Sequence, residues 1–240
     1  MKTLTVLMTA LLAWTGMPKS TTTKEVKGDF SPVAVLELFT SQGCSSCPPA
    51  DALLNKIIKE SHHSKVIGLS FHVSYWNHLG WNDPYSSDDY TKRQSWYNQR
   101  LKVGIYTPQV VVNGTNEYVG GNKAASEKKI EEALTAPSAV AIDLSLTGNK
   151  LSYHLAGHYV NTVLNIAVVQ NEVSNYVKQG ENGGRQLVHN NVVLSFDTRK
   201  ANAGNDEVTL KLPESASKVI VYAQNNQTGA VLGASQLAME

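Results

Sequence analysis

Gly43-Cys44-Ser45-Ser46-Cys47-Pro48-Pro49 holds the only two cysteines of a 240-residue chain, spaced as C-x-x-C. Val33-Ala34-Val35-Leu36-Glu37-Leu38-Phe39 precedes it, an apolar run that reads as a strand buried on both faces. The residues after it, Ala50, Leu53, Leu54, Ile57 and Ile58, recur at i, i+3, i+4, i+7, i+8, which predicts a helix with one apolar face. Pro48 and Pro49 fit its first turn, where backbone N–H groups have no intrahelical acceptor. The motif therefore sits between a strand and a helix.

Outward from this point the elements alternate. Lys65–Val73 predicts a second strand, and the helix between allows a parallel return to the first. Residues 74–86 form an aromatic insert with Tyr75, Trp76, Trp81 and Tyr85, turning at Gly80 and Asp83-Pro84. Ser87–Leu101 predicts a second helix with Ser86 or Ser87 as cap. Val110–Val112 and Tyr118–Val119 form a hairpin around Asn113-Gly114, and Lys123–Ala136 a third helix. The order is β-α-β-α-β-β-α, closing at Pro137. Beyond it about seven short segments read as strands, including Leu187–Phe196, with no helical periodicity. They predict an antiparallel, sandwich-like unit over 138–240. Gly180–Arg185 (GENGGR) is a glycine-rich loop within it.

The chain is 42% hydrophobic and 17% charged with a net charge of +1. That balance gives no basis for a nucleic-acid partner. Met1-Lys2 and the apolar Leu4–Trp14 predict a signal peptide over 1–18, too short to span a bilayer at roughly 20 residues. A polar tether over 19–31 follows. The expected location is the periplasm or the exterior, with no stable membrane insertion after signal removal and with an oxidising environment around the cysteines.

A thiol at a helix N-terminus has its pKa lowered from about 8.5, because the free N–H groups favour the anion. Cys44 is then the attacking thiolate and Cys47 the resolving one. Three other uses of the pair stand beside this one. A structural disulfide is the plainest. Zinc needs four ligands and finds two cysteines. Copper could take both thiolates with His72 from the neighbouring strand. No other cofactor is indicated. Glu37, seven residues before Cys44, reads either as a buried proton relay for Cys47 or as an ion pair with Arg93 or Arg100. Trp76, Trp81 and Tyr85 read as a substrate wall or as the core of the insert. Thr107-Pro108 opens a strand, where a trans proline is the ordinary case. GENGGR, with Arg185 and His189 near it, is a candidate cover for the dithiol.

The dithiol segment resembles the thioredoxin superfamily, and YTPQVVVNGTNEYVGG is similar to the glutaredoxin pattern in which the proline is cis. More narrowly, VLELFTSQGCSSCPPADALL, SFHVSYWNHLGWNDPYS, TKRQSWY, YTPQVVVNG and GENGGRQLVHNNVV resemble a family of secreted bacterial thioredoxin-like proteins whose domain has no assigned function. The resemblance covers about residues 33–240. It implies a thioredoxin-like α/β domain over 32–136 followed by an all-β, sandwich-like domain. It also implies a cis Pro108 that, with Thr107, orients a partner chain. In thioredoxin the buried acid lies one residue nearer the dithiol than Glu37 does. A tryptophan there precedes the first cysteine, where this chain has Gly43. The expected function is thiol-disulfide exchange with protein or small-molecule thiols and disulfides. The alternative is a non-catalytic thiol-based binding protein or a copper or other metal chaperone.

Overall fold

The computed structural model describes residues 24–26, 30–61, 65–201 and 205–239. The expected signal segment, most of the tether, His62 and His63 lie outside them. A short strand β1 (Lys24–Val26) precedes β2 (Ala34–Thr40), which is buried along its whole length. Strand side chains alternate between faces. Ala34, Leu36 and Leu38 meet Ala50 and Leu54 of helix α1 (Pro48–Glu60). After β3 (Val66–His72) comes helix α2 (Asp88–Leu101), and its Tyr90 and Tyr97 meet Val35 and Phe39 on the opposite face. The two helices therefore clamp one sheet, because a strand apolar on both faces needs a partner on each. Ser87 caps α2 by accepting the Asp89 N–H.

Strands β4 (Gln109–Val112) and β5 (Asn116–Val119) form a hairpin turned by Asn113 and Gly114, both at positive φ, and helix α3 (Lys123–Ala133) follows. Then come β6 (Val140–Thr147), β7 (Lys150–Gly157), β8 (Thr162–Gln170), β9 (Val173–Val177) and β10 (Arg185–His189). The chain ends with β11 (Val192–Lys200), β12 (Asn205–Thr209), β13 (Lys218–Asn225) and β14 (Val231–Ala238).

The expected architecture, a thioredoxin-like β-α-β-α-β-β-α domain followed by a separate all-β domain, is not the one formed. Eight strands make one mixed sheet in the order β14-β13-β8-β11-β3-β2-β4-β5. The join is β11, which runs parallel to β3 at Val192 and Ser70 and antiparallel to β8. One apolar cluster crosses the expected boundary: Val35, Phe39, Ile67, Leu69 and Phe71 pack with Ala167, Val169, Val193, Ile220 and Tyr222. Sequence periodicity defines faces but not lateral neighbours, so a strand more than a hundred residues away could take the free edge of β3 unseen. A four-stranded sheet, β1-β6-β7-β12, covers the far half of the large sheet, through Ile142, Leu144, Leu151 and Leu155 against Leu164, Ile166 and Val221.

Strands β9 and β10 leave both sheets and, among the described residues, pair only with each other. The expected single strand Leu187–Phe196 is two strands, broken at Asn190 and Asn191, with Asn191 at positive φ. The arm they form lies along α1. Asn55 Nδ2 donates to the Val188 carbonyl at 3.3 Å, and Lys59 pairs with Glu172 at 3.1 Å.

Candidate active site

The C-terminal end of β2 delivers the chain into a tight turn. Cys44 N–H donates to the Ser41 carbonyl and Cys47 N–H to the Cys44 carbonyl, both at 3.2 Å. Cys47 is the N-cap of α1, with Pro48 and Pro49 in the first positions. Cys44 and Cys47 are joined in a disulfide with Cα atoms 5.4 Å apart. Both residues are 0% exposed. A disulfide at a helix N-terminus has a leaving thiolate that the free N–H groups stabilise.

The Thr107–Pro108 peptide bond is cis, and Pro108 is buried. Thr107 Oγ1 donates to Cys44 Sγ at 3.3 Å and accepts from Trp76 Nε1 at 2.7 Å. Ser46 Oγ lies 3.3 Å from Cys44 Sγ and 3.5 Å from the Thr107 carbonyl. Trp76 thus reaches the sulfur through one hydroxyl. Gly43 packs closely here: a Cβ at this position would stand 3.2 Å from the Trp76 Cβ, a tight contact.

The arm covers this segment with its tip. Glu181 Oε2 accepts the Ser45 N–H at 2.9 Å, and Asn182, fully buried, donates from Nδ2 to the carbonyls of Gln42 and Cys44 at 3.0 and 2.8 Å. Hydrogen bonds from the Ser45 side chain and backbone hold the Glu181 carboxyl below the usual carboxylate range. Arg185 Nη1 donates to Asn182 Oδ1 at 2.8 Å, fixing the amide. The glycine-rich loop therefore lies on the dithiol segment.

Behind the disulfide runs a seam of polar side chains. Asp83 Oδ2 lies 2.7 Å from His72 Nδ1 and accepts the Gln42 N–H at 2.8 Å. Its Oδ1 accepts the Tyr85 N–H at 3.0 Å. Burial opposes charge on both partners. The Asp83 carboxylate overcomes it and raises His72 above 6.5, while His72 and the backbone N–H groups hold Asp83 below its ordinary value. The His189 ring packs edge-on to His72 with centroids 4.6 Å apart. His189 Nδ1 stands 3.3 Å from Asp51 Oδ1, outside hydrogen-bond alignment, and Thr40 Oγ1 donates to Asp51 Oδ2 at 3.1 Å.

Of the residues singled out in the sequence, Cys44, Cys47, Thr107, Pro108 and Trp76 meet at one place. Trp81 stands beside them, with its Nε1 donating to Gln42 Oε1 at 3.1 Å. Glu37 does not join them; of its two readings, relay or ion pair with Arg93 or Arg100, the structure forms the ion pair with Arg93. It shares its face of β2 with Val35 and Phe39, away from α1, and Arg93 takes both its oxygens at 2.5 and 2.8 Å. His72 is bonded to Asp83 rather than turned free toward the sulfurs. Asp51 has no role in the sequence reading and Asp83 appears there only as a turn marker, while Glu181 and Asn182 enter as part of the GENGGR loop, the candidate cover. The usable signals are that loop and Asp51, a carboxylate one turn after Cys47.

No curated protein matches the chain. Among solved structures, the crystal structure of a protein from Agrobacterium tumefaciens has a TM-score of 0.68 at 30% identity, covering 86% of this chain and 94% of that one. HBP35 of Porphyromonas gingivalis has a TM-score of 0.66 at 17% identity over 89% of this chain and 77% of that one, a likeness of fold alone. The profile of one protein family matches residues 35–227, and the chain belongs to that family, described as "Protein of unknown function (DUF1223)".

Proposed function

We propose that the protein is a thiol-disulfide oxidoreductase working through Cys44 and Cys47, outside the cytoplasm. The observation that carries this reading is the meeting of a C-x-x-C disulfide at a helix N-terminus with the cis Thr107–Pro108 strand. The Thr107 hydroxyl, 3.3 Å from Cys44 Sγ, is a donor for a thiolate there. The sequence resemblance of the dithiol segment and of YTPQVVVNGTNEYVGG to thioredoxin and glutaredoxin patterns supports the chemistry. A partner thiolate attacks Cys44, the Cys44–Cys47 bond breaks, and Cys47 leaves as thiolate; a second thiol completes the two-electron exchange. The partners are protein or small-molecule thiols and disulfides. Export is supported by the N-terminal apolar segment and by the disulfide. Among the described residues no helix is long and apolar enough to cross a membrane.

A copper- or metal-holding role through Cys44, Cys47 and His72 has no observation in its favour. His72 Nδ1 is bonded to Asp83, and among the described residues no three His, Cys, Asp or Glu side chains are grouped to hold an ion. The test is equilibration of the chain with dithiothreitol and glutathione buffers, together with insulin reduction. A reversible couple lost in Cys44→Ser is expected. Failure to exchange with any thiol, together with stoichiometric Cu(I) binding by the reduced chain, overturns the reading.

A further inference from the structure

The seam behind the disulfide carries more buried polar groups than it satisfies. Asp51 Oδ1, His189 Nδ1, His72 Nε2, Asn55 Oδ1, Ser70 Oγ and Asn191 Oδ1 are all buried without a hydrogen-bond partner. They lie on α1, β3 and the β10–β11 stretch, which border one another. Unpaired buried polar atoms cost stability, so a group of them in one place calls for a reason, and a catalytic role is one.

The proton positions in the seam follow from its donors. Gln42 Oε1 accepts from Trp81 Nε1, so the other arm of that amide, Nε2, faces His189 Nε2 at 3.4 Å. An amide NH2 only donates, so His189 Nε2 is the accepting nitrogen. In the neutral ring the proton then sits on Nδ1, toward Asp51 Oδ1 at 3.3 Å. Thr40 donates to the other Asp51 oxygen. Asp51 therefore has a hydroxyl donor on one oxygen and an imidazole N–H beside the other. It stands one helical turn after Cys47, its N–H bonded to the Cys47 carbonyl at 3.1 Å, and residues four apart share a helix face.

We propose that Asp51 receives and returns the Cys47 proton during disulfide exchange, with His189 as the positioning residue that holds its charge. The proposal rests on the thiol-disulfide reading above. In the oxidising direction, a client disulfide has left Cys44 bonded to the client sulfur. The Cys47 S–H proton passes to the Asp51 carboxylate, the Cys47 thiolate attacks Cys44 Sγ, and the client leaves as thiolate with the electron pair of the broken bond. In the reducing direction a client or small-molecule thiol gives up its proton, which Asp51 takes up, and the resulting thiolate attacks Cys44 Sγ. Cys47 departs with the electron pair of the broken bond and takes that proton from Asp51. The titratable groups around this end of α1 are Asp51 on the helix, His189 on β10, His72 on β3 and Asp83 in the segment between β3 and α2. Glu181 and Arg185 stand at the arm's tip. His72 and Asp83 balance each other at 2.7 Å and so do not compete for the Cys47 proton.

The test uses the full chain carrying Cys44→Ser, so that Cys47 is the one thiol, and follows its ultraviolet thiolate absorbance against pH. Asp51→Asn removes a neighbouring anion. It is expected to move the Cys47 titration midpoint downward, so that the thiolate fraction at a fixed pH below the midpoint rises about tenfold. In the chain with both cysteines, the same change is expected to slow reduction by dithiothreitol by at least ~10-fold below neutral pH, with a flattened pH profile. Asp51→Glu is expected to restore part of that profile, and His189→Gln to shift it without abolishing exchange. A Cys47 titration indistinguishable from the parent in folded Asp51→Asn and His189→Gln variants overturns the proposal. Because the titration needs no client, absence of exchange by the unaltered chain would count against the oxidoreductase reading while leaving this coupling readable. Where Asp51→Asn does not fold, the His189→Gln and Asp51→Glu titrations decide.

Discussion

Glu37 is a carboxylate with every oxygen committed. Arg93 binds it in a fork, the Tyr97 hydroxyl donates to Oε1 at 2.5 Å, and Arg93 also reaches the Tyr222 hydroxyl at 2.7 Å. The guanidinium stands over the Phe196 ring at 4.6 Å. Removing one partner of such a buried pair leaves the other charge without compensation, at a cost of about 3–5 kcal/mol. Glu37→Gln is therefore expected to lower the unfolding free energy obtained from guanidinium denaturation by that amount, while leaving the rate of dithiothreitol reduction and its pH profile unchanged. A variant of parental stability with altered exchange would reverse this assignment. From sequence, an acid in an apolar strand seven residues before a cysteine reads equally as relay or ion pair. The face of β2 it occupies decides, and that face is set by partners on α2 and β13.

At the scale of elements, the β9–β10 arm changes what the disulfide meets. Its tip contributes three hydrogen bonds to the backbone of residues 42–45, from Asn182 twice and to Glu181 once. The arm pairs with neither large sheet, and such an element opens at lower cost than a core strand. Combined Glu181→Ala and Asn182→Ala substitution is expected to speed reduction of the Cys44–Cys47 bond by dithiothreitol about tenfold, because the tip then has fewer bonds holding it on the segment. An unchanged rate would show that the tip does not limit access. Much at this scale was legible in the sequence. The apolar spacing of α1, the Ser87 cap, the Asn113-Gly114 turn and the C-x-x-C pair each depend on residues close in the chain. The arm's strands were not, because Val173–Val177 is a half-exposed strand with weak alternation and Leu187–Phe196 looks continuous through Asn190 and Asn191, although the glycine-rich tip reads as a cover for the dithiol. The meeting of Asp51 with His189 was not legible either, since it depends on where the arm lies.

For the whole molecule, the large sheet is the unit of stability. A chain ending at residue 136 would lose β11 from the edge of β3 and strip Ala167, Val169, Val193, Ile220 and Tyr222 from the shared core. It would also leave Arg93 without the Tyr222 and Gln224 oxygens. An open, apolar strand edge favours association with other chains. Residues 1–136 are expected to aggregate and to show no cooperative unfolding transition; a soluble monomer with a sharp transition would restore the two-domain picture. Local pattern reached the strands and helices of this molecule because each is encoded nearby, and stopped at their lateral order, which is not. The position of the arm has one more consequence, in time rather than in space. A chain emerges from the ribosome N-terminus first. Cys44 and Cys47 are therefore synthesised well before Glu181 and Asn182, and before the β11 strand that completes their sheet. Until then nothing from the arm stands over the pair, so the sulfurs are more open in the growing chain than in the finished one, and completion of the fold shuts them in.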